Sequence, residues 1–138
     1  MAGYSGTPLP KKLGIKEGHR VALLEAPGGI EGILGELPPE VSVQRDVSGA
    51  APLDVIVLFV TRRVQLERRL AAMRRRMAPA GGLWIAWPKK ASGVATDVTE
   101  DVVREIALPT GLVDNKVCAI DDTWSGLRLV IRLEHRPR

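Results

Sequence analysis

The chain predicts an α/β domain built on a mostly parallel sheet, and three adjacent stretches carry that prediction. Leu53 to Val60 (LDVIVLFV) is a nearly unbroken apolar run rich in β-branched residues, which suits a strand covered on both faces. The spacing over 62–77 puts Leu66, Leu70, Met73 and Met77 at i, i+4, i+7 and i+11, one apolar stripe of a helix lying on a sheet. Leu83 to Trp87, within GGLWIAWPKK, reads as a second buried strand. A crossover unit of this kind is right-handed, so its strands run parallel as neighbours or near neighbours at the sheet centre. Thr61 is placed to cap the helix, and Pro79 with the Gly81-Gly82 pair is placed to stop it.

The other elements follow from the N-terminus. Residues 1–12 hold Gly, Ser, Thr, two prolines and two lysines, which predicts a flexible arm ahead of a single α/β domain over 13–138. Arg20 to Glu25 reads as the first strand, and Ala26-Pro27-Gly28-Gly29 as the loop after it. Ile30, Ile33, Leu34 and Leu37 mark a short helix that Pro38 and Pro39 end. Val41 to Asp46 alternates apolar and polar residues, the pattern of an edge strand. Beyond Lys90 comes a loop, then a helix carrying Val98, Val102, Val103 and Ile106, which begins in a capping-box pattern at Asp97 and Glu100. Val113 to Ile120 and Leu127 to Leu133 are strands whose short connection makes them an antiparallel hairpin.

Composition narrows the function classes. A 138-residue chain can bury about 68–70% of its unfolded surface in one core, so it needs neither disulfides nor a metal. No apolar run approaches the roughly 20 residues of a membrane span, and no signal-peptide pattern opens the chain. With a single cysteine, Cys118, placed inside a strand, a cytoplasmic location is expected. Two histidines, His19 and His135, argue against a zinc site or a Ser/His/Asp triad. Twenty basic against 16 acidic residues is a mild excess. Seven arginines fall between 62 and 76, but at about 100° per residue they surround the exposed side of the helix. With no aromatic interleaving to stack bases, that distribution argues against a nucleic acid partner.

Ligands of open α/β sheets bind outside the carboxyl ends of the parallel strands. Arg62 and Arg63 follow one such strand, and Lys89 and Lys90 follow the next. Arg62 and Arg63 also fall in a first helical turn, where cations are unfavourable by a few tenths of a kcal/mol each. A bound phosphate or carboxylate, with Ser92, Gly93 and Thr96 as donors, would offset that; the alternative is a solvated cationic face. Near the C-terminus, Lys116 and Trp124 flank the Asp121-Asp122 turn. Lys116 is read as an exposed-edge or carboxylate-paired lysine, and Trp124 as a core cap or a ligand cover.

Strand-helix units ending in an antiparallel hairpin resemble the layout of S-adenosylmethionine-dependent methyltransferases, over roughly residues 20–133. The resemblance implies a three-layer, Rossmann-like six-stranded sheet of order 2-1-3-4-6-5, with one strand-helix unit missing before Leu53. At closer range PLPKKLGI, WPKKASGVATD and GLVDNKVCAIDDTWSGL resemble a bacterial family of domains of unknown function, which brings no established activity. The methyltransferase resemblance places Gly28 and Gly29 beside the amino-acid part of the cofactor and Asp46, 18 residues after Gly28, on a ribose hydroxyl. Pro27-Gly28-Gly29-Ile30-Glu31-Gly32 departs from the Gly-x-Gly-x-Gly spacing of that family, and Pro27 lacks a donor. The expectation is therefore a non-catalytic binding or regulatory domain for an anionic, nucleotide-like small molecule or a protein partner, without cofactor or membrane contact. The alternative is a methyltransferase using S-adenosylmethionine.

Overall fold

The computed structural model describes residues 6–136. Six strands form one sheet in the order β2-β1-β3-β4-β6-β5. They are β1 (Arg20–Leu24), β2 (Ser42–Gln44), β3 (Leu53–Phe59), β4 (Met77–Pro88), β5 (Leu112–Ala119) and β6 (Trp124–Ile131). The pairings β2-β1-β3-β4 are parallel, and β6 joins β4 and β5 antiparallel. Helices α1 (Leu9–Leu13) and α2 (Ile30–Leu34) cover one face, while α3 (Arg63–Arg76) and α4 (Glu100–Ala107) cover the other. The expected three-layer α/β architecture, its strand order and its C-terminal hairpin are all present.

The central strands are as buried as their composition requires. Leu53 and Val55 through Val60 are all buried, as are Leu83 through Trp87, because helices lie on both faces of β3 and β4. Leu66, Leu70 and Met73 carry α3 onto the sheet. At the opposite rim, Val43 of β2 is 40% exposed, as an edge strand with one uncovered face should be.

Four local expectations need correction. Helix α3 stops at Arg76, ahead of Pro79, and Met77 is already extended and paired with Leu53. Met77 thus reaches the core as the first residue of β4, and the register shift opposite Leu53/Val55 leaves residues 78–81 as a bulge where Pro79 needs no ladder partner. Thr61 does not cap α3. Gln65 Oε1 accepts the Thr61 and Arg62 N–H groups at 2.9 and 3.0 Å, and Asp97 Oδ1 accepts the Arg63 N–H at 2.6 Å. Asp97 is therefore spent on α3, and α4 is capped by Thr99, whose hydroxyl accepts the Val102 N–H at 3.2 Å.

The fourth correction concerns the arm expected over residues 1–12. Residues 1–5 lie outside the described residues, but Leu9–Leu13 is helical, with Leu9 and Leu13 buried. The Leu13 carbonyl accepts the indole N–H of Trp84 at 3.0 Å, so this segment closes the core over the largest fully buried side chain. A buried indole needs an acceptor, and α1 supplies it.

Gly81 lies in the β4 bulge against backbone atoms. A Cβ there would sit 2.9 Å from Asp54 O, 3.0 Å from Leu53 O and 3.1 Å from Ala78 O, while at Gly28 it would meet nothing within 4 Å. Gly81→Ala is expected to destabilise the domain by about 1–3 kcal/mol in urea unfolding, and Gly28→Ala to leave it near wild type. Equal midpoints for the two variants would remove the bulge as the reason for Gly81.

Candidate functional site

The strand order sets where a ligand can enter. From β1 the chain crosses by α2 to β2 on one side, and from β3 it crosses by α3 to β4 on the other. The loops leaving β1 and β3 diverge around a crevice at the carboxyl edge, the switch point of an open α/β sheet.

The first residue past β1, Glu25, has φ +56°. A non-glycine residue held in the left-handed region costs on the order of 1–3 kcal/mol, and such strain concentrates at functional sites. Its carboxylate accepts a hydrogen bond from Arg69 of α3 at 3.0 Å, which joins the β1 loop to the helix after β3. Sequence reasoning gave Glu25 no role; its place between the first strand and Pro27-Gly28-Gly29 was the available signal. Gly28 and Gly29 follow, both exposed, with nothing within 4 Å of an added Cβ, and Gly29 turns into α2 at φ +82°. Backbone here is open to close approach by a ligand.

Asp46 stands two residues past β2, at the same edge. Its Oδ1 accepts the Ser48 hydroxyl at 2.6 Å and the Ser48 N–H at 3.0 Å. The hydroxyl contact first, then the N–H and the more distant Arg76 charge, hold its carboxyl below the usual range, so Asp46 is ionised at neutral pH. Arg45 beside it pairs with Glu31 of α2, tying the β2 end to the helix after the glycine loop.

On the β3–β4 side, Thr61, Arg62, Ala95, Thr96 and Asp97 line a pocket of about 330 Å³. Arg62 and Thr96 are thus brought together. The Thr96 hydroxyl is committed, donating to Thr61 O at 2.6 Å and accepting the Val98 N–H at 3.0 Å. Ser92 likewise closes its own turn, donating to Lys89 O at 2.6 Å and accepting the Val94 N–H at 3.2 Å, with Gly93 at φ +77° ending it. The Lys89 N–H is held by Thr123 O at 2.7 Å, and Lys90 is exposed.

Arg63 leaves this group. Its guanidinium reaches Glu105 at 2.5 Å and Glu67 at 3.5 Å, and these carboxylates, Glu105 foremost, keep it protonated. The cationic first turn of α3 is therefore offset from within the chain, by Asp97 on the helix N-terminus and by Glu67 and Glu105 beside it. Lys116 is also apart from the crevice. It lies mid-strand on β5 and donates from Nζ to Lys12 O at 3.0 Å, not to Asp121 or Asp122. Asp121 is a turn former, accepting the N–H groups of Thr123 and Trp124 at 2.8 and 2.7 Å. Trp124 packs edge-on against Phe59 of β3, with ring centroids 5.1 Å apart, and stays half-buried at the carboxyl edge.

No protein-family profile matches the chain. No curated protein matches it either. Solved structures do match in fold. An S-adenosylmethionine-dependent methyltransferase from Aquifex aeolicus superposes with a TM-score of 0.65 at 16% identity, covering 94% of this chain and 91% of its own. Aeropyrum pernix fibrillarin, solved with natively bound S-adenosylmethionine, gives 0.57 at 15% identity over 93% of this chain and 70% of its own. Magnesium protoporphyrin IX methyltransferase from Synechocystis, with S-adenosylmethionine bound, gives 0.56 at 9% identity over 90% and 74%.

These neighbours correct two expectations, that the domain is a non-catalytic binder and that no cofactor belongs to it. The irregular glycine spacing had carried both. What close approach requires is open backbone, and Gly28 and Gly29 supply it despite Pro27.

The Asp46 carboxyl gives a direct test of the local electrostatics. Its depressed folded pKa contributes stability that is present above the unfolded value and lost as pH falls through the folded one. In Ser48→Ala the carboxyl carbon of Asp46 is expected to titrate closer to the ordinary aspartate range by NMR. An unmoved midpoint would assign the depression to the N–H of residue 48, which alanine keeps, and to Arg76.

Proposed function

We propose that this chain is an S-adenosylmethionine-dependent methyltransferase whose cofactor lies in the crevice between the carboxyl ends of β1 and β3. The observation that carries the reading is the switch point, where strained Glu25, open Gly28-Gly29 and ionised Asp46 share one edge. The likeness in fold to enzymes solved with S-adenosylmethionine supports it.

The donor set fits the cofactor. Asp46 is an ionised acceptor with Oδ1 fixed by Ser48, as a ribose hydroxyl requires. Gly28 and Gly29 would let the amino-acid part approach backbone, and Glu25, now paired with Arg69, would offer a carboxylate to a cationic group. When bound, the cofactor supplies an electrophilic methyl group on a sulfonium sulfur. The chain's own contribution is orientation: two packed helices and two strand ends fix these groups, so the acceptor needs only to be held in line. We assign the acceptor to the β3–β4 side, against Thr61, Arg62 and Thr96, with Lys89 and Lys90 on the next loop and Trp124 as a wall.

No helix among the described residues is long and apolar enough to cross a membrane. The free, half-buried Cys118 fits a reducing, cytoplasmic setting.

Thermal melts test the cofactor assignment. S-adenosylmethionine at 100 times its dissociation constant should add about 2.7 kcal/mol, seen as several degrees in a domain of this size. Asp46→Asn should weaken binding about 10- to 100-fold, the effect of losing a hydrogen bond to a charged group, while Lys116→Gln keeps the wild-type response. A wild-type melt that ignores millimolar cofactor sinks the reading.

A further inference from the structure

We propose that β5 and β6 carry a second site, remote from the switch point, for a small ligand bearing a phosphate or diphosphate group. It does not depend on the cofactor reading. Its centre is a pair of like charges: Lys116 and Arg128 are directly opposed partners in the antiparallel β5–β6 ladder, so both project from the same face. Facing cations destabilise a ladder unless something lies between or above them. Arg136 adds a third positive charge. Partial burial disfavours the charged form of the Arg128 guanidinium, and the charge of Arg136 adds a smaller effect in the same direction.

Among the described residues no carboxylate forms an ion pair with Lys116, Arg128 or Arg136, although Arg45, Arg63, Arg69 and Arg104 all have one. The contacts these cations do make are neutral. Lys116 Nζ donates to Lys12 O at the end of α1, Arg128 Nη1 reaches Asn115 Oδ1 at only 3.4 Å, and Arg136 Nε donates to Ile131 O at 2.9 Å. Glu134, the acidic residue nearest in sequence to Arg136, is exposed and pairs with none of them.

The Arg128 guanidinium has a built seat. It lies against Gly82 of β4, where a Cβ would come within 2.5 Å of Nε and 2.9 Å of Cζ and Nη2. Glycine at 82 is what lets the guanidinium pack down on the sheet. A half-buried guanidinium beside an ammonium suits a phosphate, the planar fork in two hydrogen bonds and the lysine as a point charge. Two facing cations, with a third acting on one of them, suit a compact dianion or trianion better than an extended polymer. The neighbouring Cys118 takes no chemical part, since burial pushes its thiol up and away from the thiolate.

The site is tested by following the Arg128 Nε–H signal by ¹H–¹⁵N NMR while inorganic pyrophosphate replaces chloride at constant ionic strength. Wild type should show a saturable shift. Lys116→Gln should weaken it at least tenfold. Gly82→Ala keeps every charge but fills the seat, and should weaken it comparably; a far-ultraviolet spectrum and a cooperative melt establish that each variant is folded. Asp46→Asn, at the other site, should bind pyrophosphate like wild type. A shift that is linear, without saturation, or identical in wild type and Lys116→Gln would overturn the proposal. Displacement of pyrophosphate by a single-stranded oligonucleotide at lower phosphate concentration would overturn the small-ligand assignment in favour of a nucleic acid backbone.

Discussion

The constraint on which the structure depends is that β3 and β4 are covered on both faces. Parallel strands leave their ladder satisfied but their side chains nowhere to go except into packed helices, so the centre must be apolar on each side. Among the described residues no polar or charged side chain is buried. A dry centre of this kind pushes chemistry outward. Whatever this protein does must be done at the rim of the sheet, where strands end or where side chains reach solvent, and the two sites argued above lie there.

At the carboxyl edge the balance of charge is local. The N-terminus of α3 would attract an anion, but Asp97 already accepts the Arg63 N–H and Glu105 and Glu67 take its side chain. Glu25 is answered by Arg69, and Glu31 by Arg45. These pairs are exposed, so each adds little to stability on its own. Their effect is positional: one ties β1 to α3 across the crevice and the other ties β2 to α2 beside it, and the helices that carry the partners are held by the core. Glu25 holds a backbone conformation that most residues avoid, at the point where β1 gives way to the glycine loop, with its carboxylate paired to Arg69.

Much of this was legible in the chain. The unbroken apolar runs at 53–60 and 83–87 identified the buried strands, and the stripe at Leu66, Leu70 and Met73 identified the helix between them, because burial on two faces leaves no freedom of composition. The short turn at Asp121-Asp122 fixed the hairpin as antiparallel. Long-range hydrogen bonds were not legible. Nothing in local spacing says that Asp97 serves α3 and not its own helix, that Thr96 bonds to Thr61 O, or that the Leu13 carbonyl is the acceptor for Trp84, since each partner lies far away in sequence. The same blindness separated the candidate site. Arg63 and Lys116 looked like ligands because their partners, Glu105 and Lys12 O, come from other elements.

Glycine shows the difference between a pattern and its cause. The spacing around Gly28 and Gly29 departs from a familiar fingerprint, yet a fingerprint only records where backbone must stay uncovered, and both positions are uncovered here. Gly81 and Gly82, adjacent in sequence, answer to opposite demands. One avoids the carbonyls of Leu53 and Asp54 inside a bulge, and the other makes room for a guanidinium arriving from β6. A side chain at the first would strain the sheet itself, because backbone atoms cannot yield. At the second it would only displace the flexible end of Arg128, leaving the fold intact and the charge unseated. Stability and recognition are thus separable at neighbouring residues of β4, which is what allows a rigid central strand to serve both.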